Sequence, residues 1–439
     1  MLKLNKLLTG EWSLVVYTVL IVLTPLWKVP GIPALRLDDG WLLLLVFSQI
    51  CWGSGRGLKS TLSIPTLSLG TITFMSVLTF VVAGYFIPSF FSVFSTLRIC
   101  LLIFVIHRTS FSARGVRFLE AAIVLVAFLN AIAAFIHYYH IAPFDLMLIK
   151  LYTSEVGYEK YSSALLYIGH ATRSIGTMGN PNYMGFLLAF GMLATVNQFF
   201  TGRMWAKVIA LLFSLAFGYT IIFYMQSRSA LVMALVGIVG YVCIFLIKRR
   251  NVFGYLILMT MPVLVVLTLV LCFNFSYLLP ARIAALFQVT SFEAFLYEGE
   301  LMGPRMNIWT YQVQQIFGSV TSLIFGHMPY APTLVSDNGF MNVWYRAGLF
   351  AFVAYLVMQV WIVRVLIVNL ARAPQWSAAM GYQVMVLVLF ALYILSDLNA
   401  DTLYSAKWAP LVLTYLFVGM KDIHEEPKLG PDRSTPRHR

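Results

Sequence analysis

Short polar segments interrupt a strongly apolar chain, and each of them contains an arginine. These segments hold Arg173 with Asn180 and Asn182, Ser227 with Arg228, Arg305 with Trp309, and Asn338 with Asn342 and Arg346. The guanidinium group is planar, stays charged and binds phosphate oxygens through two parallel hydrogen bonds. Arginines grouped with amide side chains therefore favour a site for a phosphate or diphosphate group, although each arginine could instead reach toward lipid headgroups.

A candidate base lies in the polar stretch at residues 336–349. If a helix begins near Asn338, then Asn338, Asn342 and Arg346 recur every four residues and share one face. Asp337 then occupies the N-cap position, or it acts as the base that takes a proton from a hydroxyl group. His327 is an alternative base. Weaker candidates are three glutamates in the preceding segment, Glu293, Glu298 and Glu300.

Membrane-spanning helices are the elements that must position these residues. The chain has 439 residues, of which 60% are hydrophobic and only 11% are charged, whereas soluble domains carry about 25% charged residues. This composition excludes a soluble enzyme and a disordered chain, and it predicts an all-α polytopic membrane protein. Twelve stretches have the length and polarity of transmembrane helices: 12–27, 35–53, 66–87, 90–106, 118–139, 183–200, 206–225, 229–247, 252–273, 343–370, 379–396 and 402–420.

Lysine and arginine residues set the predicted orientation of these helices. The net charge is +13, and most of the excess falls on one side of the membrane if the N-terminus is cytoplasmic. Both termini are then cytoplasmic, and residues 1–420 form one transmembrane domain that is followed by a disordered tail, 421–439. The charge is therefore a topology signal and indicates no nucleic-acid partner.

Two long loops, 140–182 and 274–342, fall on the outer side and contain most of the polar segments. Within the second loop, three short amphipathic helices are predicted to lie on the outer membrane surface, at Tyr277–Leu286, Phe292–Leu301 and Met306–Phe317. No cytoplasmic segment is long enough for a folded domain. Neither a P-loop nor a dinucleotide-binding glycine motif is present, so no nucleotide cofactor is expected.

Several charged residues have plainer interpretations. Arg98 lies within the fourth predicted span and is expected to face the protein interior and to form an ion pair. Five other outer cations are predicted to be solvated loop residues: Lys28, Arg36, Lys150, Lys160 and Lys407. Asp38 with Asp39, and Asp397 with Asp401, could hold a metal ion, but their spacing is not diagnostic and no metal is predicted.

Together the arginine segments resemble the Wzy/WaaL superfamily of O-antigen polymerases and O-antigen ligases. The matching motifs, in the family's order, are Arg173 with Gly179-Asn180-Pro181-Asn182-Tyr183, Ser227-Arg228, Arg305-x-x-x-Trp309, and Asp337-Asn338-Gly339-Phe340 followed by Gly348-Leu349. The motifs cover roughly residues 170–350, and the hydropathy pattern matches along the whole chain. The resemblance implies a GT-C-like architecture with a large periplasmic helical loop before the last three helices.

The resemblance also implies a metal-independent, inverting glycosyl transfer at the periplasmic face of the bacterial inner membrane. The implied partners are an undecaprenyl-diphosphate-linked glycan donor and acceptor and membrane lipids, with a chain-length regulator as a further candidate. Arg173, Arg228 and Arg305 would hold diphosphates, and Asp337 would be the base or would orient it. The remaining implied binding residues, several of which would line a sugar pocket, are Asn180, Asn182, Trp309, Asn338, Asn342 and Arg346.

One position separates the two branches of the superfamily. Ligases typically carry His-Asn where this chain has Asp337-Asn338, and aspartate is more in keeping with polymerases, whose acceptor is another lipid-linked repeat unit. We therefore expect a polymerase. An O-antigen ligase acting on lipid A–core is the alternative within the superfamily, and a lipid-linked oligosaccharide flippase or exporter is the alternative from another class.

Overall fold

The structure, a computed structural model, describes residues 8–25, 27–29, 32–52, 63–83, 86–153, 173–249, 279–284, 303–327, 338–374, 377–398, 400–421 and 423–424. Helices account for most of these residues, which confirms the predicted all-α class. The strands of the described ranges form two small pairs. In one pair β1 (Trp27–Val29) runs antiparallel to β2 (Ile32–Leu35), and in the other β3 (Phe111–Ser112) runs parallel to β4 (Ile423–His424).

Fifteen helices are described along the chain. They are α1 (Trp12–Leu23), α2 (Leu37–Trp52), α3 (Ser63–Ala83), α4 (Phe86–Arg108), α5 (Ala113–Tyr138), α6 (Phe144–Tyr152), α7 (Pro181–Thr201), α8 (Met204–Tyr219), α9 (Arg228–Arg249), α10 (Ala281–Ala284), α11 (Gly303–Phe317), α12 (Val320–Phe325), α13 (Gly339–Arg372), α14 (Ala378–Asp397) and α15 (Trp408–Gly419). A 3₁₀ turn at Gly176–Met178 precedes α7, and a π-helical turn at Thr220–Met225 extends α8.

Six helices of the described residues are long and apolar enough to cross a membrane. They lie at Ala113–Tyr138, Pro181–Thr201, Met204–Met225, Arg228–Arg249, Gly339–Arg372 and Ala379–Asp397. Shorter apolar helices occupy Trp12–Leu23, Ser63–Thr79 and Trp408–Gly419. The long apolar helices make this a helical membrane protein.

Predicted spans and observed helices differ by several residues at some of their starts. The tenth predicted span, 343–370, begins earlier, because α13 starts at Gly339. The twelfth, 402–420, begins later, because α15 starts at Trp408 and the residues before it form a turn. The ninth predicted span, 252–273, lies outside the described residues, as does all of the predicted helix at 292–301. Of the predicted helix at 277–286, residues 279–284 are described, and Ala281–Ala284 among them form α10. The predicted helix at 306–317 is confirmed as α11.

Burial distinguishes the centre of the bundle from its lipid-facing rim. Helix α7 is buried on nearly every side and packs against α5, α8, α9 and α14. By contrast α8 exposes large apolar side chains, among them Trp205 at 80% and Leu212 at 60%. A soluble protein rarely exposes such a continuous apolar surface, so this rim is suited to contact with lipid.

The two ends of the bundle carry different contacts. At one end Glu11 accepts a hydrogen bond from the Ser112 backbone N–H, and Lys248 and Lys421 donate to the carbonyl oxygens of Ala371 and His107. With a cytoplasmic N-terminus, the twelve predicted spans place Lys248 and Lys421 on the cytoplasmic side. The opposite end is where α7 and α13 begin and where α14 ends, and we call it the site end.

Helix α13 is broken by a kink near the site end. Its 34 residues would span about 50 Å if straight, which exceeds the about 30 Å of a bilayer's hydrocarbon core. At Gly348 the backbone φ is 78°, and a Cβ atom there would lie 2.0 Å from the Ile324 carbonyl oxygen. The end of α12 therefore packs into the kink, and the His327 N–H donates to the Tyr345 carbonyl at 2.5 Å.

Buried charges join the helices at the site end. Arg98 Nη2 lies 2.5 Å from Asp39 Oδ1, which confirms that Arg98 faces the interior and forms an ion pair. Arg36 Nη2 lies 2.5 Å from Asp38 Oδ2, and both side chains are fully buried. The prediction that Arg36 and Lys407 are solvated is therefore wrong, since Lys407 is also buried. Arg36 is buried with its neighbour Asp38, and Lys407 with carbonyl groups that are distant in sequence, whereas Lys150 is exposed as predicted.

Replacing Arg98 by methionine should strongly destabilise the protein. The substitution leaves the Asp39 carboxylate buried without its ion-pair partner, which typically costs about 3–5 kcal/mol. Thermal unfolding of the detergent-purified protein, followed by tryptophan fluorescence, measures the loss. Adding Asp39→Asn should restore at least half of it, because the second buried charge is then also removed. A double variant no more stable than Arg98→Met would contradict the pairing.

Candidate functional site

The first predicted segment forms a compact structure before α7. Arg173 donates from Nε to the Met225 carbonyl at 3.1 Å and from Nη2 to Asn182 Oδ1 at 3.0 Å. Asn180 caps α7, because its side chain accepts a hydrogen bond from the Asn182 backbone N–H at 2.8 Å, and Pro181 suits the first helical turn. The predicted residues Arg173, Asn180 and Asn182 are thus brought together, and all three side chains are half-buried.

Arg228 begins α9 directly beside this segment. Gln226 adopts a positive φ of 47° and ends the π-helical turn, so that Ser227 caps the next helix through the Ala230 N–H at 3.4 Å. Since Arg173 contacts the carbonyl of Met225, Arg228 follows that contact by three residues. The half-buried Arg228 also lies in the first turn of a helix, where the helix dipole favours an anion.

Tyr183 and Asp401 connect this segment to α13. The Tyr183 hydroxyl donates to the Asp401 carbonyl at 2.8 Å, and the Asp401 side chain pairs with Arg346, with 3.0 Å between Oδ2 and Nη2. The Arg346 guanidinium also lies over the ring of Tyr404, 4.7 Å from its centroid. Arg346 and Asp401 keep 15% and 16% side-chain exposure, so a ligand at the site end can reach both.

Asn338 and Asn342, which were predicted to share a helical face with Arg346, have distinct roles. Asn338, rather than the predicted Asp337, is the N-cap of α13, because its side chain accepts from the Met341 N–H at 3.0 Å. Asn342 is fully buried and accepts from Gln312 Nε2 at 3.2 Å. Gln312 belongs to α11, so this bond attaches the loop helix to α13. Asp337 itself lies outside the described residues.

Helix α11 also carries Arg305 and Trp309. Trp309 is half-buried and lies one turn before Gln312, whereas Arg305 lies in the first turn of the helix. A spacing of seven residues places the Arg305 position on the same helical face as Gln312. The position therefore shares the face that meets α13.

A buried carboxylate supports the start of α13. A Cβ atom at Gly339 would lie 1.9 Å from Asp397 Oδ1, so only glycine fits here. Asp397 is fully buried and accepts hydrogen bonds from the hydroxyls of Tyr355, at 2.6 Å, and Thr402. Asp397 and Asp401 each have protein partners of their own, and no cluster that could hold a metal ion occurs within the described residues.

Lys407 fixes the turn that carries Asp401. Its ammonium group donates to the carbonyl oxygens of Val22, Thr24 and Thr177 at 2.7–2.9 Å. Burial and the neighbouring Arg36 charge lower the pKa of Lys407. The three carbonyl oxygens act in the opposite direction, because only the charged ammonium group can donate to all three. The bonds to Thr177 and to α1 fix the position of the turn before α15 relative to the segment before α7.

His327, the alternative base, lies on the turn after α12. Gly326, with a φ of 85°, turns the chain there, and the ring of His327 lies 5.6 Å from the ring of Tyr345. The turn packs against the kink of α13 rather than against Arg173 or Arg228. His327 therefore lies beside residues 339–347, the part of α13 that precedes the kink. The described contacts include no carboxylate that could orient its ring.

Sequence reasoning missed three residues that connect the site: Gln312, Asp401 and Tyr404. Asp401 and Tyr404 were assigned to a short loop and to the start of a span. A signal was present, because the stretch from Ser396 to Lys407 is unusually polar for a junction between two spans. Gln312 carried no comparable signal, since a glutamine on an amphipathic helix is ordinarily solvated.

The arrangement places half-buried arginines at one end of an apolar bundle, where water and a lipid headgroup can both reach. Arg173, Arg228 and Arg346 supply positive charge, and Asp401 is the accessible carboxylate among the described contacts. Such an arrangement can bind an anionic group and stabilise negative charge that develops on a leaving group. The chain matches no protein-family model and no curated protein.

Proposed function

We propose that this protein is a Wzy-type polysaccharide polymerase of the bacterial inner membrane. It would join undecaprenyl-diphosphate-linked oligosaccharide repeat units into O-antigen or a related surface polysaccharide at the periplasmic face. The observation that carries the proposal is a continuous set of contacts at the site end. It runs from Arg173 and Asn182, through Tyr183 and Asp401, to Arg346.

The arginines divide into two groups on either side of Tyr183, which supports a polymerase over a ligase. Arg173 and Arg228 adjoin Met225, whereas Arg346 lies across the Tyr183–Asp401 contact on α13. A polymerase must hold two lipid diphosphates at once, one on the donor and one on the acceptor. A ligase must hold one, since its acceptor is lipid A–core.

The reaction would proceed by displacement at the donor sugar. The acceptor hydroxyl attacks C1 of the donor, the bond from C1 to the diphosphate oxygen breaks, and its electron pair leaves with undecaprenyl diphosphate. Arg228 and Arg305 would stabilise the developing charge on this leaving group, and Arg173 would hold the diphosphate. Asp337, near the start of α13, is the sequence-based candidate for accepting or directing the hydroxyl proton.

Purified protein tests the proposal directly. Lipid-linked repeat units, extracted from cells in which this chain's gene is deleted, are incubated with the protein in detergent, and the products are separated on a gel. We expect a ladder of oligomers. Transfer that occurs only after lipid A–core is added would identify a ligase. Movement of lipid-linked units across vesicle membranes without new glycosidic bonds would identify a flippase or exporter.

A further inference from the structure

We propose that Asp401 is a catalytic residue that accepts the proton of the acceptor hydroxyl, and that Arg346 restrains it until a diphosphate binds. The inference rests on the proposed glycosyl transfer and assigns its base to a residue in the turn between α14 and α15. Asp401 Oδ2 lies 3.0 Å from Arg346 Nη2. The two side chains therefore form an ion pair.

The carboxylate of Asp401 occupies the position on Arg346 that a phosphate oxygen would take. Carboxylate and phosphate oxygens compete for the same guanidinium N–H groups, and phosphate gives strong bidentate contacts. Arg346 is held on one side by the ring of Tyr404, and it has five N–H donors in all. A diphosphate arriving at the site end can therefore replace Asp401 on Arg346 while the guanidinium keeps its place.

This exchange makes Asp401 a better base at the moment of transfer. While it is paired, the adjacent positive charge stabilises its ionised form and weakens its basicity. Once a diphosphate oxygen replaces the carboxylate on Arg346, the Asp401 carboxylate is ionised and no longer neutralised. The acceptor O–H bond then breaks, its proton goes to Asp401, and its oxygen forms the new bond to C1. The C1–O bond to the diphosphate breaks, and that electron pair leaves with the diphosphate.

The other carboxylate near this turn cannot take the same role. Asp397 is fully buried and is bonded to Tyr355 and Thr402. An acceptor hydroxyl would have to displace the start of α13 to reach it, because Gly339 packs against its Oδ1. Asp401 keeps 16% side-chain exposure, and the Tyr183 bond to its carbonyl holds its backbone beside the arginine segment before α7.

Three variants test the inference: Asp401→Asn, Asp401→Glu and, as a control, Lys150→Ala, which removes an exposed cation on α6. Two quantities are measured for each, the rate of ladder formation from extracted lipid-linked repeat units and the binding of radiolabelled undecaprenyl diphosphate. Asp401→Asn should lower the rate at least about 100-fold, as expected for loss of a general base. Its binding of undecaprenyl diphosphate should stay equal to the wild type or become tighter, because the competing carboxylate is gone.

The remaining variants separate the base from a positioning residue. Asp401→Glu keeps a carboxylate and should recover at least about tenfold over Asp401→Asn, and Lys150→Ala should stay within about threefold of the wild type. Wild-type transfer by Asp401→Asn, or loss of binding as large as its loss of transfer, would overturn the inference. A wild-type protein that forms no ladder would instead contradict the proposed function.

Discussion

Replacing Arg228 by alanine should abolish long polysaccharide chains while leaving the protein in the membrane. Arg228 occupies the first turn of α9, capped by Ser227, and lies next to the segment that Arg173 holds to Met225. Removing one donor that stabilises a developing anion typically lowers a rate about 10²–10³-fold. We therefore expect lipopolysaccharide with a core and a single repeat unit, the pattern of a polymerase null.

The measurement is a lipopolysaccharide gel from cells that carry each variant as the source of this protein, with its abundance in the membrane fraction measured in parallel. Lys150→Ala is the matched control, because Lys150 is an exposed cation on α6 and belongs to none of the predicted site segments. It should leave chain length unchanged. Normal chain length in Arg228→Ala would show that this arginine does not hold the diphosphate. Bare core would indicate a ligase.

Replacing Gly348 by alanine should both destabilise the protein and disable the site. The φ of 78° is unfavourable for any residue with a Cβ atom. That atom would also lie 2.0 Å from the Ile324 carbonyl oxygen, so α12 and α13 must separate. Strain and overpacking together should lower the free energy of unfolding by about 3 kcal/mol. Displacement of the outer arm, Gly339–Ala347, should also reduce ladder formation.

Gly70→Ala provides the control for this substitution. Gly70 lies within α3, and a Cβ atom there meets nothing within 4 Å. Alanine has a higher helix propensity than glycine, so the free energy of unfolding should stay equal or rise by up to about 1 kcal/mol. Thermal unfolding in detergent, followed by tryptophan fluorescence, measures both variants. Equal stability of Gly348→Ala and Gly70→Ala would contradict the close contact at the kink.

Hydropathy was sufficient to find most of the helices, because a membrane helix must be long and apolar wherever it lies. The predicted span 35–53, which begins with charged residues, contains a helix at Leu37–Trp52. The start of this helix was hard to predict from hydropathy, because Arg36, Asp38 and Asp39 are charged and yet buried. Their partners include Arg98, which is distant in sequence. A hydropathy average over one segment cannot detect a pair between two segments.

Site residues were predictable where one segment contained both partners. Arg173 and Asn182 lie in the same motif, and the structure joins them. The Arg346–Asp401 pair joins different elements, so residue spacing alone could not predict it. The N-cap was assigned one residue too early, because Asp337 and Asn338 have similar capping tendencies. The sequence alone does not fix which of the two adopts the extended backbone that precedes the helix.

The kink in α13 has a consequence for protein engineering. Gly348 interrupts the helix between the arm that carries Asn342 and Arg346 and the longer arm that crosses the membrane. Because the loop helices α11 and α12 pack on the first arm and on the kink, they and that arm form one exchangeable cassette. A graft that replaces residues 303–347 would therefore exchange these elements at a joint where the backbone already departs from helical geometry. The longer arm of α13 would stay unchanged as the scaffold.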